Sequence, residues 1–319
     1  MGRIVAGIVA VLVVALAVGV LYVHDRVTSL EAERVTGDVH VVRGLGGNVG
    51  VLRTGAGAVV VDTMTFRIQG ERIRELAERL TGGPIQVVIN THYHTDHAHG
   101  NPGFAPGTRV VATEHTRDYL LAFDASYWDG KAEETLPGDL FDDEYELRIG
   151  GKTIRAIHPG RGHTGGDLVV LFVEDRLLHT GDLLFNGRYP NIDLEAGGSL
   201  REWIGTLERV LELDFDRVIP GHGPVTDRAG VRAFQRFLRE VWRVGVEAAR
   251  EGLSLEATLA RAQLAEDEGY AVTWMPFVFR LDRDFVIRRA WEEATGAVVP
   301  LDVPSSHKES RSGEGSVLD

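Results

Sequence analysis

Apolar and polar positions along the chain repeat with two different periods, which predicts an alternation of strands and helices. Short runs rich in valine and isoleucine are typical of strands, and amphipathic runs at helical spacing are typical of helices. The predicted strands are 39–42, 48–53, 58–62, 85–90, 109–112, 144–149, 153–157, 168–173, 176–180 and 217–219. The predicted helices are 67–80, one that starts at His115, 200–211, 231–250, 255–264 and 285–295. This order indicates an α/β protein with a helical C-terminal part.

The two ends of the chain differ in composition from the body between them. Residues 4–23 contain no charged side chain, and about 20 apolar residues are enough to cross a bilayer. We therefore expect residues 1–30 to form a transmembrane anchor or a cleaved signal segment, which places the body outside the cytoplasm, held at the membrane or secreted. Residues 300–319 are rich in serine, glycine and charge, and we expect a disordered tail there.

Composition and charge exclude several classes of function. The 319 residues, 44% of them hydrophobic, are enough to bury a sizeable core. The net charge is 34 − 47 = −13, which repels phosphate backbones, so we expect a small-molecule substrate and no nucleic acid. The chain contains no cysteine, which excludes disulfides, thiolate metal ligands and cysteine nucleophiles. The sequence makes no prediction of oligomeric state.

A dense group of histidines follows the predicted strand 85–90. It reads His92-x-His94-x-Asp96-His97. Imidazole nitrogens and carboxylate oxygens are good ligands for zinc and similar divalent cations. Side chains two apart in an extended segment point the same way, so His92 and His94 can meet one ion. Asp96 and His97 lie just beyond, where they can face a second ion.

One segment cannot complete two coordination spheres, so further ligands are expected at other strand ends. Three candidates lie in glycine-flanked loops beside predicted strands, namely His163, Asp182 and His222. Glycine allows the tight backbone turns that such loops need beside a ligand.

Together with Asp62, which follows valines 59–61, these residues resemble the five motifs of the metallo-β-lactamase superfamily over roughly residues 38–228. The resemblance implies an αββα sandwich in a catalytic domain of residues 31–228, with added C-terminal helices in residues 229–299. It also implies a first metal on His92, His94 and His163, and a second on Asp96, His97 and His222. Asp182 would bridge the two, and Asp62 would orient a ligand histidine. The expected cofactor is two zinc ions, with iron or manganese as alternatives.

Such a pair of metals suggests hydrolysis. Two cations about 3.5–4 Å apart lower the pKa of a shared water towards neutrality, so a hydroxide would attack an ester, thioester, lactone or amide carbonyl. We expect Asp96 to act in catalysis by orienting this nucleophile or passing on its proton.

The substrate class depends on the segment after Asp182. The absence of cysteine and the presence of Asp182 resemble glyoxalase II and the lactonases more than typical β-lactamases. Phe185 stands where acyl-homoserine lactonases usually have tyrosine, and residues 186–191 lack the cysteine and lysine of the glutathione-binding loop. We therefore expect a glyoxalase II-like hydrolase without glutathione specificity. Arg188 and Tyr189 are the candidate substrate contacts, or they brace the loop.

Two other enzyme classes remain open. The same ligands can hold a single iron in persulfide dioxygenases, which would make the protein a sulfur oxidoreductase. An exported member of the superfamily could also be a β-lactamase.

Overall fold

The structure is a computed structural model that describes residues 2–275, 279–298 and 300, without the side chains of residues 2–12, 15 and 275. Seven strands form the first sheet, in the order in which they occur in the chain. They are β1 (Glu31–Arg34), β2 (Val39–Arg43), β3 (Val49–Thr54), β4 (Gly57–Val61), β5 (Ile85–Ile89), β6 (Arg109–Thr113) and β7 (Asp139–Phe141). Strands β1 to β4 pair antiparallel, and β4 to β7 pair parallel.

A second sheet contains the next six strands, again in chain order. They are β8 (Glu144–Ile149), β9 (Lys152–Ile157), β10 (Val169–Phe172), β11 (Leu177–His179), β12 (Arg217–Ile219) and β13 (Thr226–Asp227). All neighbours in this sheet pair antiparallel except β11 and β12, which are parallel. A short hairpin is formed by β14 (Thr273–Met275) and β15 (Phe279–Leu281).

Helices cover both sheets and connect their strands. The α-helices are α1 (Gly2–Thr28), α2 (Arg67–Thr81), α3 (Thr95–Ala98), α4 (Glu114–Asp124), α5 (Leu200–Glu212), α6 (Arg228–Glu251), α7 (Leu255–Arg261) and α8 (Arg283–Thr295). Short 3-10 helices lie at Asn101–Gly103, Ala125–Trp128, Gly130–Thr135 and Gly181–Leu183. Helix α2 ends where the sequence predicts, because Gly82 adopts the left-handed conformation (φ 75°) that closes a helix.

The alternation of side chains in the strands explains the four layers. In β4, Val59 and Val61 point into a core between the two sheets, where they meet Val170 and Phe172 of β10. Val60, on the opposite face of β4, packs with residues of α2. The outward residues of β10 pack with residues of α5, α6 and α8. Each fully buried aliphatic side chain contributes about 1.5–3 kcal/mol. The αββα arrangement expected from the sequence is therefore present.

The C-terminal helices belong to the outer layer of the second sheet. Asp227 caps the start of helix α6, because its carboxylate accepts hydrogen bonds from the amides of Ala229 and Gly230. Helices α6 and α8 approach very closely, since a Cβ on Gly245 would lie 2.4 Å from the carbonyl oxygen of Ala290. The predicted extension is thus packed against the sandwich.

The structure differs from the sequence predictions at the N-terminus. A search of the described residues finds no helix whose length and apolar character would let it span a bilayer, so the predicted membrane segment has no support in the structure. The side chains of residues 2–12, where that segment begins, lie outside the description. The predicted tail after residue 300 also lies outside the described residues. The sequence did not predict strand β1, whose four residues are all exposed and, apart from Ala32, charged. Its pairing with β2 defines it as a strand.

Candidate metal centre

All seven predicted ligands meet at one edge of the sandwich, although they come from four separate loops. The first loop follows β5, and the others lie after β9, after β11 and after β12. The ligand atoms form two groups, and within each group they lie within 4.8 Å of one another. The first group is His92, His94, His163 and Asp182, and the second is Asp96, His97 and His222.

Asp182 lies between the two groups and presents one oxygen to each. Its Oδ2 is 3.5 Å from His163 Nε2 and 3.9 Å from His92 Nε2. Its Oδ1 is 3.1 Å from His97 Nε2 and 3.4 Å from His222 Nε2. Each oxygen of this carboxylate therefore faces a different group of ligand atoms.

Hydrogen bonds on the far side of the rings determine which nitrogens face the centre. His163 Nδ1 donates to the carbonyl oxygen of Asn191 at 2.9 Å, and His94 Nε2 donates to Asp193 Oδ2 at 2.9 Å. His163 Nε2, on the opposite side of its ring, then carries no proton and lies 2.7 Å from His94 Nδ1, which can donate to it. A cation placed beside the two rings would displace that proton and bind both nitrogens.

Asp62 orients two further ligand histidines. Its Oδ2 accepts hydrogen bonds from His97 Nδ1 at 2.7 Å and from Thr91 Oγ1 at 2.8 Å. Thr91 Oγ1 in turn lies 3.1 Å from His92 Nδ1. The carboxylate therefore fixes His97 directly and His92 through a hydroxyl. The backbone of Asp62 is left-handed (φ 66°), a conformation that aspartate tolerates better than most residues.

Two buried polar atoms face each other without a well-aligned hydrogen bond, an arrangement that suits a cation. In the described part of the chain, His97 Nε2 and Asp182 Oδ1 lie 3.1 Å apart, and neither makes a hydrogen bond of good geometry. Such groups are costly unless something binds them. Imidazole nitrogens and carboxylate oxygens are the donors that zinc, iron and manganese accept, so the residues present fit a divalent cation.

Among the protein groups alone, the second group of ligands retains protons. Burial by itself would lower the pKa of His222, but the carboxylates of Asp182 and Asp96 outweigh burial and raise that pKa to about 9. The pKa of His97 is raised well above its usual value by the same carboxylates and Asp62, again against the effect of burial. A cation entering this group must displace those protons.

In the first group of ligands, the pKa values of two histidines shift in opposite directions. Burial, followed by the charge of His94, lowers the pKa of His163 to about 4. Burial also opposes protonation of His94, but Asp193 outweighs it and raises the pKa of His94.

One side of the centre is open to solvent. The side chains of His92 and His163 are at most 1% exposed, whereas those of Asp96 and His222 are 31% and 22% exposed. Asp96 Oδ2 lies 3.3 Å from His222 Nε2. Burial would raise the pKa of Asp96, but His97 and His222 lower it below its usual value. An ionised carboxylate therefore stands on the face that a substrate can reach.

The two predicted substrate contacts occupy different environments. Tyr189 is buried, and its hydroxyl donates to Asp267 Oδ2 at 2.7 Å, which is the geometry of a loop brace. Arg188 is half-buried, and its side chain forms no hydrogen bond or ion pair with any residue that the structure describes. A substrate contact by either residue remains a prediction.

Sequence reasoning missed two residues that hold the site together. Asp193 binds His94 and also accepts a hydrogen bond from the hydroxyl of Tyr93. Asn48 donates from its side chain to the carbonyls of Pro220 and Gly223, on either side of the loop of His222. No spacing pattern distinguishes either residue, although a polar side chain beside the Gly46-Gly47 turn could have drawn attention to Asn48.

Comparisons with known proteins agree with this geometry. A family model described as "Metallo-beta-lactamase superfamily" matches residues 42–222. The chain is 28% identical over 179 residues to 2,4-dinitroanisole O-demethylase subunit alpha of Nocardioides sp. (strain JS1661), covering 54% of this chain and 53% of that protein. It is 30% identical over 180 residues to metallo-beta-lactamase type 2 of Bacillus cereus, covering 56% of this chain and 67% of that protein. The chain thus spans about half the length of the O-demethylase subunit.

A solved structure shows the same fold. The metallo-beta-lactamase from Pontibacter korlensis superposes with a TM-score of 0.55 at 22% sequence identity. The match covers 66% of this chain and 99% of that one. At this identity, the likeness concerns the fold alone.

Proposed function

The chain belongs to the metallo-beta-lactamase superfamily, and we propose that it is a metal-dependent hydrolase that cleaves an ester, thioester, lactone or amide. The observation that carries the proposal is the position of Asp182, whose two oxygens face two separate groups of ligands. A single cation would need only one of these groups, so the complete pair supports a dinuclear site. Zinc is the proposed metal, with iron or manganese as alternatives.

In the proposed mechanism, the bound cations and Asp96 have different roles. Two bound cations would lower the pKa of a water and polarise the substrate carbonyl. Asp96, ionised on the open face, orients that water and accepts its proton at Oδ2. As the water oxygen bonds to the acyl carbon, the bond from that carbon to oxygen, sulfur or nitrogen breaks. The departing group then takes up the proton, and no serine or cysteine nucleophile is required.

The glyoxalase II-like assignment is part of this proposal. Phe185 is buried and stacks on the ring of His222, with centroids 5.1 Å apart. Phe185 has no hydroxyl that could contact a substrate at the metal centre. An acyl-homoserine lactonase would be expected to have a tyrosine at this position. The absence of cysteine supports an acyl hydrolase other than a typical β-lactamase.

The test is a substrate panel on the purified, zinc-loaded protein. It compares a thioester, an aryl ester, a lactone and a chromogenic cephalosporin, for the wild type and for Asp96→Asn and His94→Ala. We expect turnover of at least one acyl substrate, loss of turnover after chelation and recovery with zinc. We also expect almost no turnover by His94→Ala, and a loss of about a hundredfold or more in Asp96→Asn.

Metal analysis of protein purified without added metal distinguishes a dinuclear hydrolase from an enzyme that holds a single iron. About two divalent cations per chain support the proposal. A single iron per chain, with oxygen consumption on a persulfide and no hydrolysis of the panel, would replace it with a sulfur dioxygenase.

The location and partners of the protein remain part of the proposal. The uncharged run at residues 4–23 and the net charge of −13 support a body outside the cytoplasm that acts on small molecules and not on nucleic acid. Protease treatment of intact cells tests the location, and full protection of the catalytic domain would contradict it.

A further inference from the structure

A three-residue segment between α5 and the loop of Asp182 orients two ligands of the first metal group. The carbonyl of Asn191 accepts from His163 Nδ1, and Asp193 Oδ2 accepts from His94 Nε2, both at 2.9 Å. The amide of Asp193 also donates to the carbonyl of His163 at 3.0 Å. The position of residues 191–193 therefore sets the direction of both imidazoles.

Arg289 of helix α8 holds the middle of this segment. Its Nε donates to the carbonyl of Ile192 at 2.8 Å. Its two terminal nitrogens bind the carboxylate of Glu195, further along the same loop, and one of them also donates to Glu292 at 2.8 Å. The residue is only 8% exposed, and a planar guanidinium can make these bonds in several directions at once.

The other hydrogen bonds of the segment do not fix it independently. Asp193 bonds within its own loop, to the amides of Ala196 and Gly198. Its remaining partners, Tyr93 and the loop of His163, belong to the metal-ligand loops themselves. Ile192 has a buried side chain, and Tyr189, two residues before the segment, is bonded to Asp267. Arg289 is the side chain from outside the centre that bonds directly to the backbone of the segment.

Helix α8, which carries Arg289, is itself held in place by an N-cap and by buried side chains. Its N-terminal amide at Phe285 is capped by Asp282 at 3.0 Å, and Val286 and Ile287 are buried. Arg283, six residues before Arg289, binds the buried carboxylate of Asp267 with two hydrogen bonds. Both arginines thus form ion pairs from one helix, but only Arg289 donates directly to residues 191–193.

We infer that Arg289 is a positioning residue of the first metal site, acting through residues 191–193. This role goes beyond attachment of α8 to the sandwich and makes the C-terminal extension part of the metal centre. The inference rests on the proposed metal site.

The test measures metal affinity, without any need for a substrate. Chelator-stripped wild type, Arg289→Met, Arg289→Lys and Arg283→Met are titrated with zinc in competition with a chromogenic chelator, and each metal-free protein is melted. We expect Arg289→Met to weaken one of two zinc equivalents by about tenfold to a hundredfold, as for other residues that orient metal ligands. Arg289→Lys keeps one hydrogen-bond donor but loses the planar guanidinium. We therefore expect its zinc affinity to lie between those of the wild type and Arg289→Met.

Arg283→Met is the matched control. It removes an ion pair from the same helix and should lower the melting temperature, while both zinc affinities stay within about threefold of the wild type.

Two results would overturn the inference. One is an unchanged zinc affinity in both Arg289 variants, and the other is an equal loss in Arg283→Met, which would reduce the effect to general destabilisation. If the wild type binds two zinc ions and Arg289→Met binds them with the same affinity, the role of Arg289 is rejected but the proposed function is not. A wild type that binds no metal rejects the proposed function with it.

Discussion

Asp62 Oδ2 lies 2.7 Å from His97 Nδ1, so the proton on Nδ1 is held on the side away from the metal centre. Nε2, which faces Asp182 Oδ1 at 3.1 Å, is then the nitrogen that can bind a cation once its own proton is displaced. The carboxylate thereby selects the tautomer that the second metal site requires.

Asp62→Asn should disrupt this selection. The amide can keep the left-handed backbone, but its NH2 group would face the donors of His97 and Thr91, or His97 would move its proton to Nε2. We expect one zinc equivalent to bind about tenfold to a hundredfold more weakly, measured by competition titration. Asp267→Asn, at another buried carboxylate, is the control, and it should change stability but not zinc affinity. Equal zinc binding by Asp62→Asn and the wild type would refute the role of Asp62.

Gly47→Ala should displace His97 from the opposite side. A Cβ at position 47 would lie 2.3 Å from Cε1 of the His97 ring, and the bond to Asp62 prevents the ring from retreating. A displacement of about 1 Å can cost about a hundredfold in rate, and we expect a loss of this size in kcat/KM. Gly37→Ala, where a Cβ has no neighbour within 4 Å, should retain wild-type kinetics. Full activity in Gly47→Ala would show that the ring can move freely.

The stability of the metal-free protein should fall as the pH rises. His222 has its pKa raised to about 9 in the folded chain, so the folded state binds its proton more tightly than the unfolded state does. This stabilisation is complete below about pH 6.5 and is lost as the pH rises through the folded value. Thermal unfolding of stripped protein across this range measures the effect, and a melting temperature that rises with pH would contradict it.

Zinc binding should show the opposite dependence on pH. Because a cation must displace protons from His97 and His222, the affinity of the second zinc should increase by about tenfold per pH unit for each proton released, between about pH 7 and pH 9. Competition titrations at several pH values provide the measurement, with proton release as a second reading. Affinity independent of pH would mean that the second group of ligands is already deprotonated.

We expect Tyr189 to contribute to stability and Arg188 to contribute to substrate binding. Tyr189→Phe removes the hydrogen bond to buried Asp267, so we expect the free energy of unfolding to fall by about 1–3 kcal/mol with kcat and KM unchanged. Arg188→Gln should instead raise KM by about tenfold for a substrate that carries a carboxylate, with stability unchanged. Denaturant unfolding and steady-state kinetics on both variants test this, and the reverse pattern would make Tyr189 the substrate contact.

The sequence could predict which side chains come together at the candidate metal centre, because those side chains lie at strand ends. A strand has a short, recognisable apolar pattern, and its end fixes where the next side chain can point. His163 and Asp182 could therefore be placed in one site, although 18 other residues separate them. The residues that orient these ligands could not be predicted, because Asp193 and Arg289 act through contacts between elements that are far apart in the chain. Strand β1 was missed because its four exposed residues have no apolar alternation.

Among the residues that the structure describes, the chain passes from the first sheet to the second once, between β7 and β8, at Asp142 and Asp143. Residues 92–97 belong to the part made first, whereas His163, Asp182 and His222 belong to the part made later. During synthesis, a ribosome therefore releases four ligands well before their partners exist. The first group of ligands is complete only after Asp182 has emerged and the second only after His222, so a cation could bind all its ligands only after parts of both sheets had been made.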